Sequence, residues 1–205
     1  GVAPTGFSHG AAGIALSLFR LAEASQQDRF RQAALAALAY ERSLFSPKQG
    51  NWSQVTSQGA QLFPLVWCYG APGIGLARLA CLPYHDDEQI RQEIQVALAT
   101  TLKHGFGGNH CLCHGDLGNL ETLLTATQVL DHAEYREALQ RLTAQVFQGI
   151  QEHGWVTDVP LGVETPGLMT GLAGIGYQLL RLAAPESVPS VLVLAPPLGD
   201  RNRSH

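Results

Sequence analysis

The sequence contains no basic cluster. Its thirteen Lys and Arg are dispersed among seventeen Asp and Glu, for a formal net charge of −4, so the footprint that nucleic acid or anionic lipid would require is missing. Gly, Pro or charge interrupts every apolar stretch well short of the roughly 20 residues of a membrane span. No basic segment followed by a short apolar core opens the chain, so no secretory signal is read and a cytoplasmic location is expected. A reducing compartment disfavours disulfides, and no Cys-x-x-Cys pair is present, so the four cysteines call for another role. What remains is a globular composition, 45% hydrophobic and 15% charged over 205 residues, enough to bury a sizeable core.

What the sequence does have is one short pattern four times over. Ser8-His9-Gly10-Ala11-Ala12-Gly13, Trp67-Cys68-Tyr69-Gly70-Ala71-Pro72-Gly73, Cys113-His114-Gly115-Asp116-Leu117-Gly118 and Thr170-Gly171-Leu172-Ala173-Gly174 each place a Gly-x-x-Gly turn before an apolar segment. The leading glycines are 60, 45 and 56 residues apart, as expected of helical hairpins joined by loops of variable length. Apolar helices are expected from Gly10 to about Ala24, after Pro72 to near Pro83, from about Asp116 to Leu130 and from about Gly171 to Ala184. Amphipathic partners are expected from an N-cap at Asp28 to about Phe45, from Asp86 and Asp87 to Gly105, and from Ala133 to His153. The first apolar helix reads as buried nearly all round, and residues 46–64 read as a long loop. Apolar helices inside and amphipathic ones outside give an all-α fold, an α/α toroid, with about four hairpins in residues 1–184 and an extended tail over 185–205. The glycines would mark one end of the toroid, where inner helices begin.

Counted from each leading glycine, Cys68 and Cys113 share one position and His9 and His114 another. Two thiolates and an imidazole suit Zn²⁺ with an open fourth position, and a place just before a helix N-terminus favours thiolate. The same residues are compatible with small buried hydrophobes and a hydrogen-bonded core histidine. Cys111 is a rival ligand without counterparts in the other repeats, and Cys81 reads as core. His9 has Phe7 where a cysteine would stand, which leaves it available for proton transfer. Trp67, Tyr69 and His110 are candidates to wall a substrate pocket. His85, His104, His132, His153 and His205 read as surface residues, Asp116 as an N-cap or first-turn carboxylate, and Met169 and Thr170 as structural.

These motifs resemble those of the LanC-like lanthionine synthetases, in particular the C-terminal part of the cyclase domain of class II (LanM-type) enzymes. Trp67-Cys68-Tyr69-Gly70 and Cys113-His114-Gly115 are similar to the family's two zinc motifs, Ser8-His9-Gly10 to its histidine motif, and Pro189-Ser190-Val191-Leu192 to its usual ending. The resemblance implies one zinc ion on Cys68, Cys113 and His114. It also implies a ribosomally made precursor peptide whose Cys thiol adds to dehydroalanine or dehydrobutyrine, with His9 delivering or positioning the proton. Two departures stand out. The family's first hairpins, with an aspartate implicated in catalysis, have no counterpart here, so an incomplete toroid is expected, completed by missing N-terminal hairpins and a dehydratase domain. Pro64 stands where some members carry arginine. Two other readings fit the residues: a zinc- and peptide-binding module without turnover, and a toroid like the protein prenyltransferases, whose metal set usually includes a carboxylate.

Overall fold

The computed structural model describes residues 3–197, which form two compact units that divide between Phe106 and Gly107. Among the described residues there are seven α-helices and six two-residue strands, and no helix is long and apolar enough to cross a membrane. Those helices make three hairpins and the first helix of a fourth.

In the first unit, α1 (Ala11–Ser25) pairs with α2 (Asp28–Arg42), and α3 (Ala71–Cys81) pairs with α4 (Glu88–His104) while also packing on α1. Every residue of α3 except Ala80 is buried, as an apolar helix with Pro in its first turn and no polar face should be. α1 differs from expectation: Ile14 and Leu21 are exposed, so only the side carrying Ala12, Ala15, Leu16 and Phe19 is in the core. The N-cap of α2 is Gln27 rather than Asp28, and the helix ends at Arg42. Asp87 does cap α4, accepting from the Ile90 N–H at 2.7 Å, and His85 Nε2 lies 3.0 Å from its other oxygen.

Residues 45–70, expected as a loop, form three antiparallel pairs: β1 (Phe45–Ser46) with β2 (Asn51–Trp52), β3 (Gln54–Val55) with β4 (Gln61–Leu62), and β5 (Leu65–Val66) with β6 (Tyr69–Gly70). Buried charge ties the helices together. Arg78 of α3, fully buried, donates to Glu41 of α2 at 2.9 Å and to Glu93 of α4 at 2.6 Å, and Arg42 completes the network on Glu93. Glu41 also accepts from the Gly6 N–H at 2.9 Å, so the same carboxylate anchors the segment leading to His9. Removing one member of such a network strands the others in low dielectric.

The second unit is built on α5 (Asp116–Val129), which packs against α6 (Ala133–His153) and α7 (Leu172–Ala183). α5 is buried through its first nine residues, whereas α6 presents only Tyr135, Leu142 and Val146 to the core. α7 buries Gly174, Ile175, Gln178 and Arg181 and leaves Leu180 exposed. Here Glu121 is the buried carboxylate, receiving Arg181 at 2.8 Å and Gln178 at 2.8 Å. Arg181 also donates to the carbonyls of Pro185 and Val188, and Tyr177 Oη to that of Pro189. Residues 185–195 are therefore not extended as expected: they turn on themselves, with Leu194 N–H on Val191 O and Ala195 N–H on Ser190 O. Ser190 and Leu192 are buried as a result. The expected tail beyond 197, with His205, lies outside the described residues.

Candidate metal and catalytic site

The four motifs share one close contact, and three of them also share the conformation of the leading glycine: Gly10, Gly115 and Gly171 are extended, with φ of −129°, −123° and −128°, whereas Gly70 has φ +83°. At the second glycine of each, Gly13, Gly73, Gly118 and Gly174, an added Cβ would fall inside contact distance of the carbonyl oxygen six residues back, on Phe7, Trp67, Leu112 and Leu168. Only glycine permits this close approach. A second tie closes the turn. The N–H after the first glycine donates to the carbonyl seven residues back in three repeats: Ala11 to Pro4 at 3.2 Å, Asp116 to Asn109 at 2.8 Å, Leu172 to Thr165 at 2.8 Å. In the Cys68 repeat an asparagine stands in. Buried Asn51 accepts from the Ala71 N–H at 2.8 Å and donates to Pro64 O at 2.9 Å. Pro64 thus serves through its carbonyl.

In the first unit Cys68 is in the two-residue turn between β5 and β6, fully buried, immediately ahead of α3. Tyr69 stacks on the exposed His9, ring centroids 5.0 Å apart and planes inclined by 17°. Trp67 stacks on Phe7 at 5.4 Å. These aromatics carry the repeat-one loop on the repeat-two hairpin, so His9 is held by stacking and by the Gly6–Glu41 bond three residues before it. Cys81 is core, as expected: burial pushes its thiol up to about 12, and it stays protonated at neutral pH.

In the second unit Cys113 Sγ and His114 Nε2 are 3.8 Å apart. Zn–S and Zn–N bonds of about 2.3 and 2.0 Å at a tetrahedral angle require an edge of about 3.5 Å, so the pair fits an ion with a few tenths of an ångström of adjustment. The Cys113 N–H donates to Met169 O at 2.9 Å, and the Asp158 N–H to Thr170 O at 3.3 Å. The fourth motif, lacking Cys and His, thus serves as a backbone scaffold for the third. Asp158 Oδ2 lies 3.2 Å from His114 Nδ1, and Asp158 Oδ1 accepts from Asn109 Nδ2 at 3.3 Å.

Cys111, His114 and Asp158 form a second cluster, their donor atoms within 4.8 Å of one another. Cys111 is fully buried, its sulfur accepts the His114 N–H at 3.3 Å, and burial raises its thiol to about 11. His110 is not a pocket wall in this unit. It is buried, its N–H bonded to Val156 O at 2.7 Å and its Nδ1 accepting from the Val156 N–H at 3.0 Å, and burial lowers its pKa. Asp116 is the first residue of α5, after Gly115 as N-cap, and its carboxylate accepts from the Gly107 and Gly108 N–H groups at 3.0 and 3.1 Å. Burial raises its pKa and those two bonds pull it back. Asn51, Asn109 and Asp158 had no mark in the sequence: each is an isolated polar residue outside the repeated pattern.

The chain matches the family described as "Lanthionine synthetase C-like protein" over residues 1–193, and it belongs to that family. It is 25% identical over 188 residues to the lacticin 481/lactococcin biosynthesis protein LcnDR2 of Lactococcus lactis subsp. lactis, covering 85% of this chain and 20% of that protein. Among solved structures it is similar to nisin cyclase, with a TM-score of 0.70, 20% sequence identity, and coverage of 90% of this chain and 46% of that one. The chain therefore spans a fifth and just under half of the two proteins it matches. The structural likeness shows the fold, the all-α paired-helix class of the α/α toroids expected from the repeats.

Proposed function

We propose that this chain carries the metal site and the proton-transfer histidine of a lanthionine- and methyllanthionine-forming cyclase, with Cys68, Cys113 and His114 holding one zinc ion. The observation that carries this reading is the Cys113–His114 edge of 3.8 Å at the third of four glycine motifs that share one close contact, Cys68 occupying in the second the sequence position that Cys113 has in the third. Relatives named for lacticin 481 biosynthesis and nisin cyclisation support the substrate class: a ribosomally made precursor peptide bearing Cys and dehydrated Ser or Thr.

Zinc bound there would convert a peptide thiol, ordinarily protonated at neutral pH with a pKa of about 8.5, into a thiolate. The chemistry is an isomerisation. The S–Cβ bond forms, the Cα=Cβ π bond breaks, and the proton lost from sulfur is balanced by one gained at Cα. His9 delivers or positions that proton: its ring is exposed, lies over Tyr69, and is tied to no ligand position. Trp67 is buried against Phe7, so it shapes the hairpin, and Tyr69 is the aromatic that faces the histidine.

Metal analysis of the folded protein tests the reading. About one zinc per chain is expected, lost in Cys68→Ala and Cys113→Ala and retained in His9→Ala. With a dehydrated, cysteine-containing peptide, cyclisation consumes the free thiol without changing mass, and His9→Ala should slow it by about 10²-fold or more. A folded protein without zinc, or cysteine variants that keep it, would overturn the assignment.

A further inference from the structure

The imidazole of His114 has two different neighbours. Nε2 faces Cys113 Sγ, and Nδ1 faces the Asp158 carboxylate at 3.2 Å. Nδ1 is shielded from solvent and has no fully formed hydrogen bond. A neutral imidazole that gives its Nδ1 proton to a carboxylate must present Nε2 as a lone pair, which is the form a metal requires. We infer that Asp158 is a positioning residue which fixes the tautomer and ring plane of His114 for metal binding through Nε2, an inference resting on the zinc assignment above.

Asp158 is itself held at two points, the second of them through a fixed partner. Its backbone N–H is on Thr170 O, Oδ1 takes the Asn109 amide, and Asn109 is fixed by the Cys111 N–H on its Oδ1 at 3.0 Å and the Asp116 N–H on its carbonyl. Asn109 and Asp158 therefore form one relay running from the start of α5 to the carboxylate that lies beside His114 Nδ1. Asp158 comes from the loop after α6, so the relay also binds the Cys113-His114 segment to the fourth repeat. The alternative, Asp158 as a ligand beside Cys111 and His114, whose donor atoms also lie within 4.8 Å of one another, is an outcome of the test.

The test is zinc affinity by competition with a chromophoric chelator, together with the absorption spectrum of the cobalt-loaded protein. Asp158→Asn should keep one metal per chain and the thiolate-to-cobalt bands, and should weaken zinc about 10–100-fold. Asp158→Glu should recover part of that loss. With its side chain 41% exposed, Asp158 can be changed to Asn with the unfolding midpoint moving by about 2 °C or less. Unchanged zinc affinity in a folded Asp158→Asn protein would overturn the inference while leaving the zinc site standing. Complete loss of metal from that variant would also overturn it, by making Asp158 a ligand. Absence of zinc from the wild-type protein would overturn the metal assignment itself.

Discussion

The Cys68 and Cys113 motifs share the close approach at their second glycine, Gly73 and Gly118, and are secured by different chemistry. Around Cys68 the tie is one neutral amide. Asn51, carried by β2, accepts from the N–H groups of Trp52 and Ala71 and donates to Pro64 O, all between 2.8 and 2.9 Å. Around Cys113 the ties are carboxylates. Asp116 gathers the Gly107 and Gly108 N–H groups, and Asp158 reaches both Asn109 and His114. The difference matches position. Cys68 is a fully buried residue in a hairpin turn, where an amide satisfies donors and acceptors together without bringing in a charge. Cys113 has a histidine beside it, and a neighbouring carboxylate is what orients an imidazole.

Beneath the motifs both units use a buried arginine, and the arrangement predicts unequal costs. Arg78→Ala removes the guanidinium that Glu41 and Glu93 share, leaving Glu41 only the Gly6 N–H and Glu93 only Arg42, and loosens the Gly6 anchor of the His9 segment. It should cost about 3–5 kcal/mol in denaturant unfolding. Arg181→Ala strands Glu121 alone, which keeps Gln178, so a smaller loss is expected, with protease sensitivity appearing first in residues 185–195. Equal costs would break the comparison.

The amide clasp comes next. Asn51→Ala orphans two N–H groups and one carbonyl in a buried place, and should destabilise by about 3 kcal/mol. Asn109→Ala, whose amide makes two contacts at a partly open site, should cost about 1 kcal/mol. If the two motifs were held alike these values would agree; circular dichroism melts of both variants decide it.

That contrast also marks where the sequence stops being informative. The turns were legible because glycine is forced wherever a Cβ would strike a carbonyl, as at Gly73 and Gly118. The limits of α6 and α7 were legible from apolar spacing and from Gly154 and Gly171. The three strand pairs in residues 45–70 were not, because each strand is two residues long and too short to show alternation. Asn51 and Asp158 were not, since their partners are respectively 20 and 44 residues away in the chain. The exposed Ile14 and Leu21 of α1 were misread because apolar content predicts burial only where a neighbour is present to cover it.

The smallest effect expected tests whether a carboxylate outside the motifs behaves as an ordinary cap. Asp87 holds the Ile90 N–H at the start of α4, and that bond, with lesser help from His85 and Arg42, lowers its pKa below the usual aspartate value. A lowered folded-state pKa means that the unfolded chain binds the proton more readily. The stabilisation is therefore complete above the unfolded aspartate pKa and is lost as pH falls through the folded one. Asp87→Ala should remove about 1 kcal/mol at neutral pH, discounted for an exposed side chain, and the variant and wild-type unfolding curves should converge in acid. If the gap instead persists below the folded pKa of Asp87, the contribution is helix packing rather than the charged cap. The cap would then differ in kind from the Asp158 tie beside Cys113, where the partner is the imidazole proposed as a zinc ligand and substitution should be read in zinc affinity before it is read in stability.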